Sequence, residues 1–161
     1  LRMWLKKMVR KKPTKRQRIS RKLEKIAVLL QRLTRLKNAD HLGYVRCCSC
    51  DKKMHWKEAQ GGHFISRTHQ SVKCVEEQIW PQCPGCNFQM SKGETMVMLG
   101  YQRFLEDMFG RGWIEELEQK ARQPLETTEE ELDEMLEDTK RRVKEAEKTI
   151  ESLPEGFGDG V

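Results

Sequence analysis

Two cysteine pairs are the residues of this sequence whose type and spacing point most directly to chemistry. Cys47 and Cys50 form one Cys-x-x-Cys pair, and Cys83 and Cys86 form a second. Such a turn directs two thiolates at one point, so two of them can complete the tetrahedral ligand set of a structural zinc ion. A redox-active or disulfide-bonded pair is the alternative, but a redox motif needs only one pair. We therefore predict a closed zinc site that stabilises the fold and takes no part in chemistry.

The remaining cysteines and the start of the sequence support this interpretation. Cys48 and Cys74 are left as spare thiols, one packed and one in a loop, because Cys48 and Cys50 are too closely spaced for the usual knuckle. Residues 1–10 contain no uninterrupted apolar stretch of the kind that a secretion signal needs, and no segment approaches the length of a membrane span. Paired cysteines in a cytoplasmic protein hold metal more often than disulfides. The sequence thus predicts a cytoplasmic protein with no membrane partner.

A histidine and an asparagine are the candidates for catalysis. His63 follows Gly61 and Gly62 and lies midway between the cysteine pairs, while Asn87 follows the last cysteine. Zinc ligation would pull the strand of His63 against the helix that we predict to open at the second pair, and so bring the two side chains together. A neutral imidazole that takes a proton from water, beside an oxygen ligand for Mg²⁺, is a minimal site for phosphodiester cleavage. A single histidine is more often an ordinary surface or core residue, so this hypothesis depends on the setting of His63.

Charge is distributed unevenly along the chain. The first 37 residues carry 15 Lys and Arg and a single acid, Glu24, whereas residues 106–161 carry 8 basic and 18 acidic residues. The basic segment favours a polyanion, most commonly nucleic acid, with an anionic membrane surface as the competing partner. The acidic third should point away from that ligand or meet the basic arm of another subunit. We predict phosphate contacts from six basic residues: Lys15, Arg16, Arg18, Arg21, Lys22 and Lys25.

The elements that must position these residues are short. Apolar spacing predicts a helix from Ser20, and residues 44–46 and 53–56 indicate two strands around the first cysteine pair. Thr128 with Glu131 is a capping box that opens a long last helix. The fold class is therefore α+β, a small zinc core of short hairpins plus a helix, flanked by N- and C-terminal helices. We divide the chain into a basic arm and helix (1–37), a zinc core (38–100) and a helical region with an acidic tail (101–161).

The motifs between residues 23 and 118 resemble the NinG/Rap family of lambdoid phage recombination proteins. They are C-x-x-C, W-K-E-A-Q-G-G-H-F-I-S-R, P-Q-C-P-G-C-N and K-G-E, followed by a helical segment around Tyr101. That family belongs to the HNH, or ββα-metal, nucleases on a treble-clef zinc scaffold, and is similar in layout to phage endonuclease VII. The resemblance implies an endonuclease that uses Mg²⁺ or Mn²⁺ to cut branched recombination intermediates, namely Holliday junctions, D-loops and flaps.

The resemblance also implies a role for individual residues. His63 matches the general base, and Asn87 matches the asparagine that ligates the catalytic metal. Gln78 stands where the family has an asparagine, and its amide would brace the histidine loop. Gly62 stands where many HNH sites place an aspartate ligand, and Glu94 is a candidate for the missing carboxylate.

The leading hypothesis is a structure-selective DNA endonuclease encoded by a phage and active in the bacterial cytoplasm. Arg67, four residues after His63, and Lys92 are further candidates for phosphate contacts, with an ordinary surface arginine as the alternative for Arg67. Junction resolution needs two coordinated cuts, so we expect a homodimer, with recombination proteins as possible partners. A non-catalytic zinc-stabilised DNA-binding or recombination-accessory module is the second hypothesis. A sequence-specific HNH nuclease is the third, but the chain shows no separate base-reading module.

Overall fold

Residues 12–153 are described by a computed structural model, and they form the predicted α+β fold. This range contains five α-helices and two antiparallel sheets of two strands each. The elements in chain order are α1 (Lys15–Lys37), β1 (Tyr44–Arg46), β2 (Lys53–His55), β3 (Gln60–His63), β4 (Ile79–Gln82), α2 (Pro84–Ser91), α3 (Thr95–Phe109), α4 (Arg111–Ala121) and α5 (Glu129–Glu151). None of the helices in this range is long and apolar enough to cross a membrane.

Helix α1 begins five residues before the predicted start at Ser20. Thr14 caps it, because its hydroxyl accepts a hydrogen bond from the Gln17 backbone N–H (3.2 Å) while the Gln17 side chain accepts one from the Thr14 N–H (2.9 Å). This reciprocal capping box satisfies two backbone donors that the first turn would otherwise leave unpaired. Pro13 lies just before the cap, so it does not interrupt the helix. The first 11 residues of the predicted basic arm lie outside the described residues.

Helices α1 and α5 pack side by side and form the largest apolar cluster. Leu23, Ile26 and Leu30 of α1 are buried with Leu132 and Val143 of α5. The capping box predicted for α5 is confirmed, since Thr128 and Glu131 exchange side-chain and backbone hydrogen bonds. Two amphipathic helices of 23 residues each cover the apolar stripe of the other.

Opposite charges line the edges of this helix pair. Arg18 Nε lies 2.9 Å from Glu129 Oε1, and Lys22 Nζ lies 2.7 Å from an Asp133 carboxylate oxygen. Glu76, at the turn before β4, pairs with Arg142 of α5 (2.8 Å). The acidic third therefore meets the basic helix of its own chain, which differs from the expectation that it would point away or meet another subunit. That expectation weighed net charge alone, whereas the apolar stripes bring the two helices together.

The two hairpins and α2 carry the cysteine pairs and His63. The turn between β1 and β2 holds the first pair, with Val45 opposite Met54. Strand β3 pairs with β4 so that His63 lies opposite Ile79, and β4 leads directly into α2 through Cys83. The result is a strand–strand–helix unit with His63 at the end of its first strand.

Helices α1 and α3 hold this unit from two sides. Gly61 lets β3 approach α1 closely, because a Cβ there would lie 2.5 Å from the Gln31 Cα. The buried Tyr101 hydroxyl of α3 lies 2.8 Å from the carbonyl oxygens of Gly62 and Gln78, and it accepts a hydrogen bond from the Trp80 N–H (3.0 Å). Tyr101 thus links α3 to both strands, and the boundary drawn between residues 100 and 101 falls inside that helix.

Candidate functional site

Four cysteine side chains converge, as the two cysteine pairs predict, on one point between the β1–β2 turn and the start of α2. The Sγ atoms of Cys47, Cys50, Cys83 and Cys86 all lie within 4.8 Å of one another, and Cys50 Sγ is 3.9 Å from Cys83 Sγ. A tetrahedral ion with metal–sulfur bonds of about 2.3 Å requires sulfur–sulfur distances of about 3.8 Å. All six cysteines are free thiols. The predicted grouping is confirmed, and these four residues can hold a structural metal ion.

Local backbone structure aims the four side chains. The Asp51 N–H donates to the Cys47 carbonyl (2.8 Å), and Asp51 adopts a positive φ of 60° that closes the first turn. In the second turn, the Cys86 N–H donates to Cys83 Sγ (3.3 Å) at the start of α2. Gly100 of α3 packs on the first turn, because a Cβ there would lie 2.2 Å from the Ser49 carbonyl oxygen. The four-cysteine site is therefore formed by two turns and braced by a third element, helix α3.

The two spare cysteines lie elsewhere. Cys48 is buried in the cluster with Tyr101, and burial raises the pKa of its thiol. Cys74 donates from Sγ to the Leu23 carbonyl oxygen (3.4 Å), and burial raises its pKa to about 12. Both thiols stay protonated at neutral pH.

A cleft of about 750 Å³ opens beside the strand–strand–helix unit, between α1, the loop after β3, and α2. The structure brings His63, Asn87 and Arg67 together on its walls, as the sequence predicts. Three residues that the sequence analysis did not select line it as well: Glu24, Gln31 and Lys73.

His63 is held as a neutral base. Its Nε2 lies 3.0 Å from the Lys73 carbonyl oxygen, and because a carbonyl only accepts, Nε2 carries the proton. The lone pair is then on Nδ1, which lies 3.4 Å from the Gln31 side-chain amide nitrogen. Burial lowers the pKa of His63 to about 4. The imidazole is therefore uncharged at neutral pH and can accept a proton at Nδ1.

The side chain of Asn87 is oriented by a neighbouring amide. Its Nδ2 donates to Gln60 Oε1 at 2.6 Å, which directs the amide oxygen of Asn87 away from this contact. Within residues 12–153, that oxygen accepts no hydrogen bond. It is thus available to a cation or to water in the cleft.

Gln78 does not line the cleft, and it braces the loop after His63 without a hydrogen bond to the imidazole among the described residues. Its Oε1 accepts from the Ile65 N–H (2.8 Å), and its Nε2 donates to the Val72 carbonyl oxygen. Gln78 is fully buried, so its amide fixes the path of the backbone that carries the cleft residues. The Gln78 side chain thus reaches across this loop, from the Ile65 N–H to the Val72 carbonyl oxygen.

Packing explains why residue 62 is glycine. A Cβ on Gly62 would lie 2.2 Å from Oε1 of Gln82, which is fully buried. Gln82 donates from Nε2 to the Ser49 hydroxyl (2.8 Å), while its Oε1 has no hydrogen-bond partner within residues 12–153. An aspartate at position 62 therefore needs Gln82 to move.

The other predicted residues lie outside the cleft. Glu94 is exposed at the N-terminus of α3, and the Lys92 ammonium lies 5.3 Å from the centre of the Phe88 ring. Arg18 and Lys22 are engaged with α5. The other four basic residues predicted to contact phosphate are exposed and form no ion pair within residues 12–153: Lys15, Arg16, Arg21 and Lys25.

A charged cluster joins α1 to the loop of the cleft. Glu24 Oε2 lies 3.0 Å from Lys73 Nζ, and Glu24 Oε1 lies 3.1 Å from Arg67 Nη1. The hydrogen bond from Lys73 lowers the pKa of Glu24. The sequence contained one signal for this residue, since Glu24 is the single acid among the 15 basic residues of the first 37.

The charged cluster also limits how a divalent metal ion would bind in the cleft. Glu24 is the sole carboxylate among the described residues that line it, and two cations already neutralise that group. Apart from the four cysteines, the described residues contain no cluster of three or more His, Cys, Asp or Glu ligands. The amide oxygen of Asn87 is thus an uncharged oxygen atom of a cleft residue that could ligate a cation, and it is not engaged in an ion pair.

Comparison with known proteins gives no match, since no protein-family model, curated protein or solved structure is similar enough to this chain. The resemblance to the NinG/Rap family therefore depends on the motifs alone.

Proposed function

We propose that this chain is a zinc-stabilised DNA endonuclease of the HNH, or ββα-metal, type that cuts branched recombination intermediates. One observation carries the proposal: a neutral His63 lies in the same cleft as Asn87 and Arg67. We infer that the ion of the four cysteines is zinc, because zinc favours tetrahedral thiolate sites of this spacing. We also infer that the two hairpins and α2 correspond to a treble-clef core.

His63 acts as the general base in this proposal. Its Nδ1 accepts a proton from a water molecule as the water oxygen attacks phosphorus, and general-base catalysis of this kind contributes about 10²–10⁴-fold in rate. The hydrogen bond from Nε2 to the Lys73 carbonyl keeps Nδ1 free of hydrogen and stabilises the imidazolium that forms. Gln31 must move away from Nδ1 to admit the water, and its 3.4 Å contact is long enough to be weak.

Asn87 would hold the catalytic Mg²⁺ or Mn²⁺ through its amide oxygen. When bound, such an ion stabilises the charge that develops on the phosphorane and on the leaving oxygen. Gln60 fixes the orientation of that amide by accepting from Nδ2. This arrangement requires only a weakly held ion, which the substrate phosphate would help to retain.

DNA backbone contacts are assigned to basic residues near the cleft and on the free face of α1. Arg67 lines the cleft, and four exposed residues of α1 make no ion pair within residues 12–153: Lys15, Arg16, Arg21 and Lys25. Contacts to phosphates bind DNA without reading its sequence, which suits an enzyme selective for structure. A homodimer that makes the two cuts of junction resolution would need a surface other than the α1–α5 contact.

A zinc-stabilised DNA-binding module without catalytic activity is the second candidate function, and the lack of free carboxylates among the described residues of the cleft favours it. Position 62 has no carboxylate, and Glu24 is engaged with Lys73 and Arg67. Under this alternative the cleft binds a phosphate and does not cut it.

Cleavage assays separate the two. A labelled four-way junction, a flap and a linear duplex with the same arm sequences are incubated with Mg²⁺, with Mn²⁺ or with no added divalent ion. The nuclease proposal predicts metal-dependent cutting of the branched substrates in preference to the linear duplex. Binding of the junction without cutting under either metal would establish the accessory module instead. Junctions with unrelated arm sequences should be cut equally, which excludes a sequence-specific enzyme.

A further inference from the structure

We propose that Lys73 and Arg67 form the receptor for the scissile phosphate, and that Glu24 is the built-in counter-ion that the phosphate displaces. This inference rests on the proposed function and names the chemical group that the cleft grips. The ligand class is a phosphodiester of a DNA backbone. The receptor joins α1 to the nuclease core, which makes that helix part of the site.

The placement of Lys73 is unusual for a lysine. It is only 9% exposed, and its ammonium group lies 3.0 Å from Glu24 Oε2. Lysine is among the residues least often buried unless it is paired. An ammonium group has three hydrogen-bond donors, and within residues 12–153 Lys73 uses one of them. Two donors therefore remain for a ligand in the cleft.

The charge of the cleft favours an anion. Lys73 and Arg67 contribute two positive charges, Glu24 contributes one negative charge, and His63 is neutral at pH 7. The described residues that line the cleft thus carry a net charge of one positive unit, which a single phosphodiester neutralises. Arg67 donates to Glu24 through Nη1, and a guanidinium has further donors in a planar fork that matches phosphate oxygens.

Lys73 also connects the receptor to the base. Its carbonyl oxygen accepts from His63 Nε2 at 3.0 Å, while its side chain reaches Glu24. One residue therefore sets both the tautomer of the imidazole and the position of a cation in the same cleft. A phosphate bound by Lys73 is held next to the group that activates water.

A purely structural ion pair is the competing explanation, and it makes the opposite prediction for one variant. If Glu24 and Lys73 only tie α1 to the loop, removal of either charge weakens the fold and affects DNA binding in the same direction. If Lys73 is a receptor and Glu24 its counter-ion, Lys73→Met weakens binding and Glu24→Gln strengthens it. The two substitutions keep the shape of the side chains and change the charge.

The test measures binding of a labelled four-way junction to the full, metal-loaded chain with no added Mg²⁺ or Mn²⁺ and no chelator, by fluorescence anisotropy over a range of salt concentrations. Lys73→Met should bind about tenfold more weakly, as expected for a lost charge-assisted hydrogen bond. For Lys73→Met, the slope of log K against log salt concentration should be less steep by about 0.9, which is the value for one phosphate contact. Glu24→Gln should bind about fivefold more tightly, the effect of one unit charge at about 4 Å in water.

Two further variants keep the test decisive. Arg67 is exposed, so Arg67→Met should fold normally and reports on the receptor even if Lys73→Met is unstable. Arg67→Met should bind the junction more weakly, and the slope of log K against log salt concentration should be less steep. Lys52→Met removes an exposed lysine that does not line the cleft, and it should change binding less than twofold. Weaker binding by Glu24→Gln, or unchanged binding by Arg67→Met, would overturn the proposal.

The outcome is separable from that of the nuclease. If the wild type never cuts DNA but Glu24→Gln and Lys73→Met shift binding in opposite directions, the phosphate-receptor proposal is supported and the nuclease proposal is refuted. If the wild type cuts DNA and neither variant changes binding or cutting, the nuclease proposal is supported and the phosphate-receptor proposal is refuted.

Discussion

Replacement of Gly62 by alanine tests whether packing against Gln82 is what forbids a side chain at this position. The added Cβ would lie 2.2 Å from Gln82 Oε1 and 3.0 Å from Gln82 Cδ. Both values are below ordinary van der Waals contact, so the Gln82 side chain must move. Gln82 is fully buried, and any movement strains or breaks its 2.8 Å hydrogen bond to the Ser49 hydroxyl.

The expected loss of stability follows from three contributions. Overpacking a well-packed core costs about 1–3 kcal/mol. The lost hydrogen bond costs about 1 kcal/mol. Replacing a glycine by alanine restricts the unfolded chain and offsets about 0.4–1 kcal/mol. We therefore expect the free energy of unfolding of Gly62→Ala to fall by about 1–3 kcal/mol.

Urea denaturation of the metal-loaded protein, followed by circular dichroism at pH 7, measures this change. Gly112→Ala is the matched control, because a Cβ there meets nothing within 4 Å and the position is helical. It should be as stable as the wild type or up to about 1 kcal/mol more stable. The double variant Gly62→Ala with Gln82→Ala should recover at least about 1 kcal/mol relative to the sum of the two single changes. Additive effects, or full stability of Gly62→Ala, would refute the reasoning.

Three further predictions follow from the metal centre, the base and the brace between strands. Removal of the metal, or the substitution Cys83→Ser, should abolish the cooperative thermal transition of the core, because metal binding is part of its folding free energy. An unchanged Tm after verified metal removal would contradict this prediction. The pKa of His63 should be about 4 by NMR, below the unfolded value of about 6.5. Between pH 4 and pH 6.5 the unfolded chain therefore binds more protons than the folded chain. The contribution of His63 to the free energy of unfolding is complete above pH 6.5 and falls by about 2–3 kcal/mol towards pH 4, measured relative to His63→Gln. An NMR titration midpoint of His63 near pH 6.5 would contradict this prediction. Tyr101→Phe should lower the free energy of unfolding by about 1–3 kcal/mol in urea titrations, since it removes the hydroxyl that accepts from the Trp80 N–H and donates to one of the two carbonyl oxygens of Gly62 and Gln78. Unchanged stability would contradict this.

Local signals in the sequence were sufficient for the metal centre and for some element boundaries. Two cysteines three residues apart restrict each other geometrically, so their grouping could be predicted without knowledge of the rest of the fold. The capping box at Thr128 is equally local. The predicted start of α1 at Ser20 is too late because it follows the apolar spacing, which begins at Leu23, and passes over the capping box of Thr14 and Gln17.

Long-range features could not be read from the sequence in this way. Glu24 and Lys73 are 49 residues apart, and nothing in either segment indicates the other. The conflict between Gly62 and Gln82 depends on the register of β3 and β4, which the sequence leaves open. The pairing of α1 with α5 was underestimated because net charge suggested repulsion from a shared ligand, whereas apolar burial and ion pairs bring the two helices together.

The most direct test of the proposed function is the single-turnover cleavage rate of a labelled four-way junction in Mg²⁺ by the wild type and by His63→Ala. His41→Ala is the control, because His41 is exposed and does not line the cleft. We predict that His63→Ala binds the junction within about twofold of the wild type but cuts it at least about 100-fold more slowly, while His41→Ala cuts normally. Cutting by His63→Ala at the wild-type rate would contradict the assignment of His63 as the base.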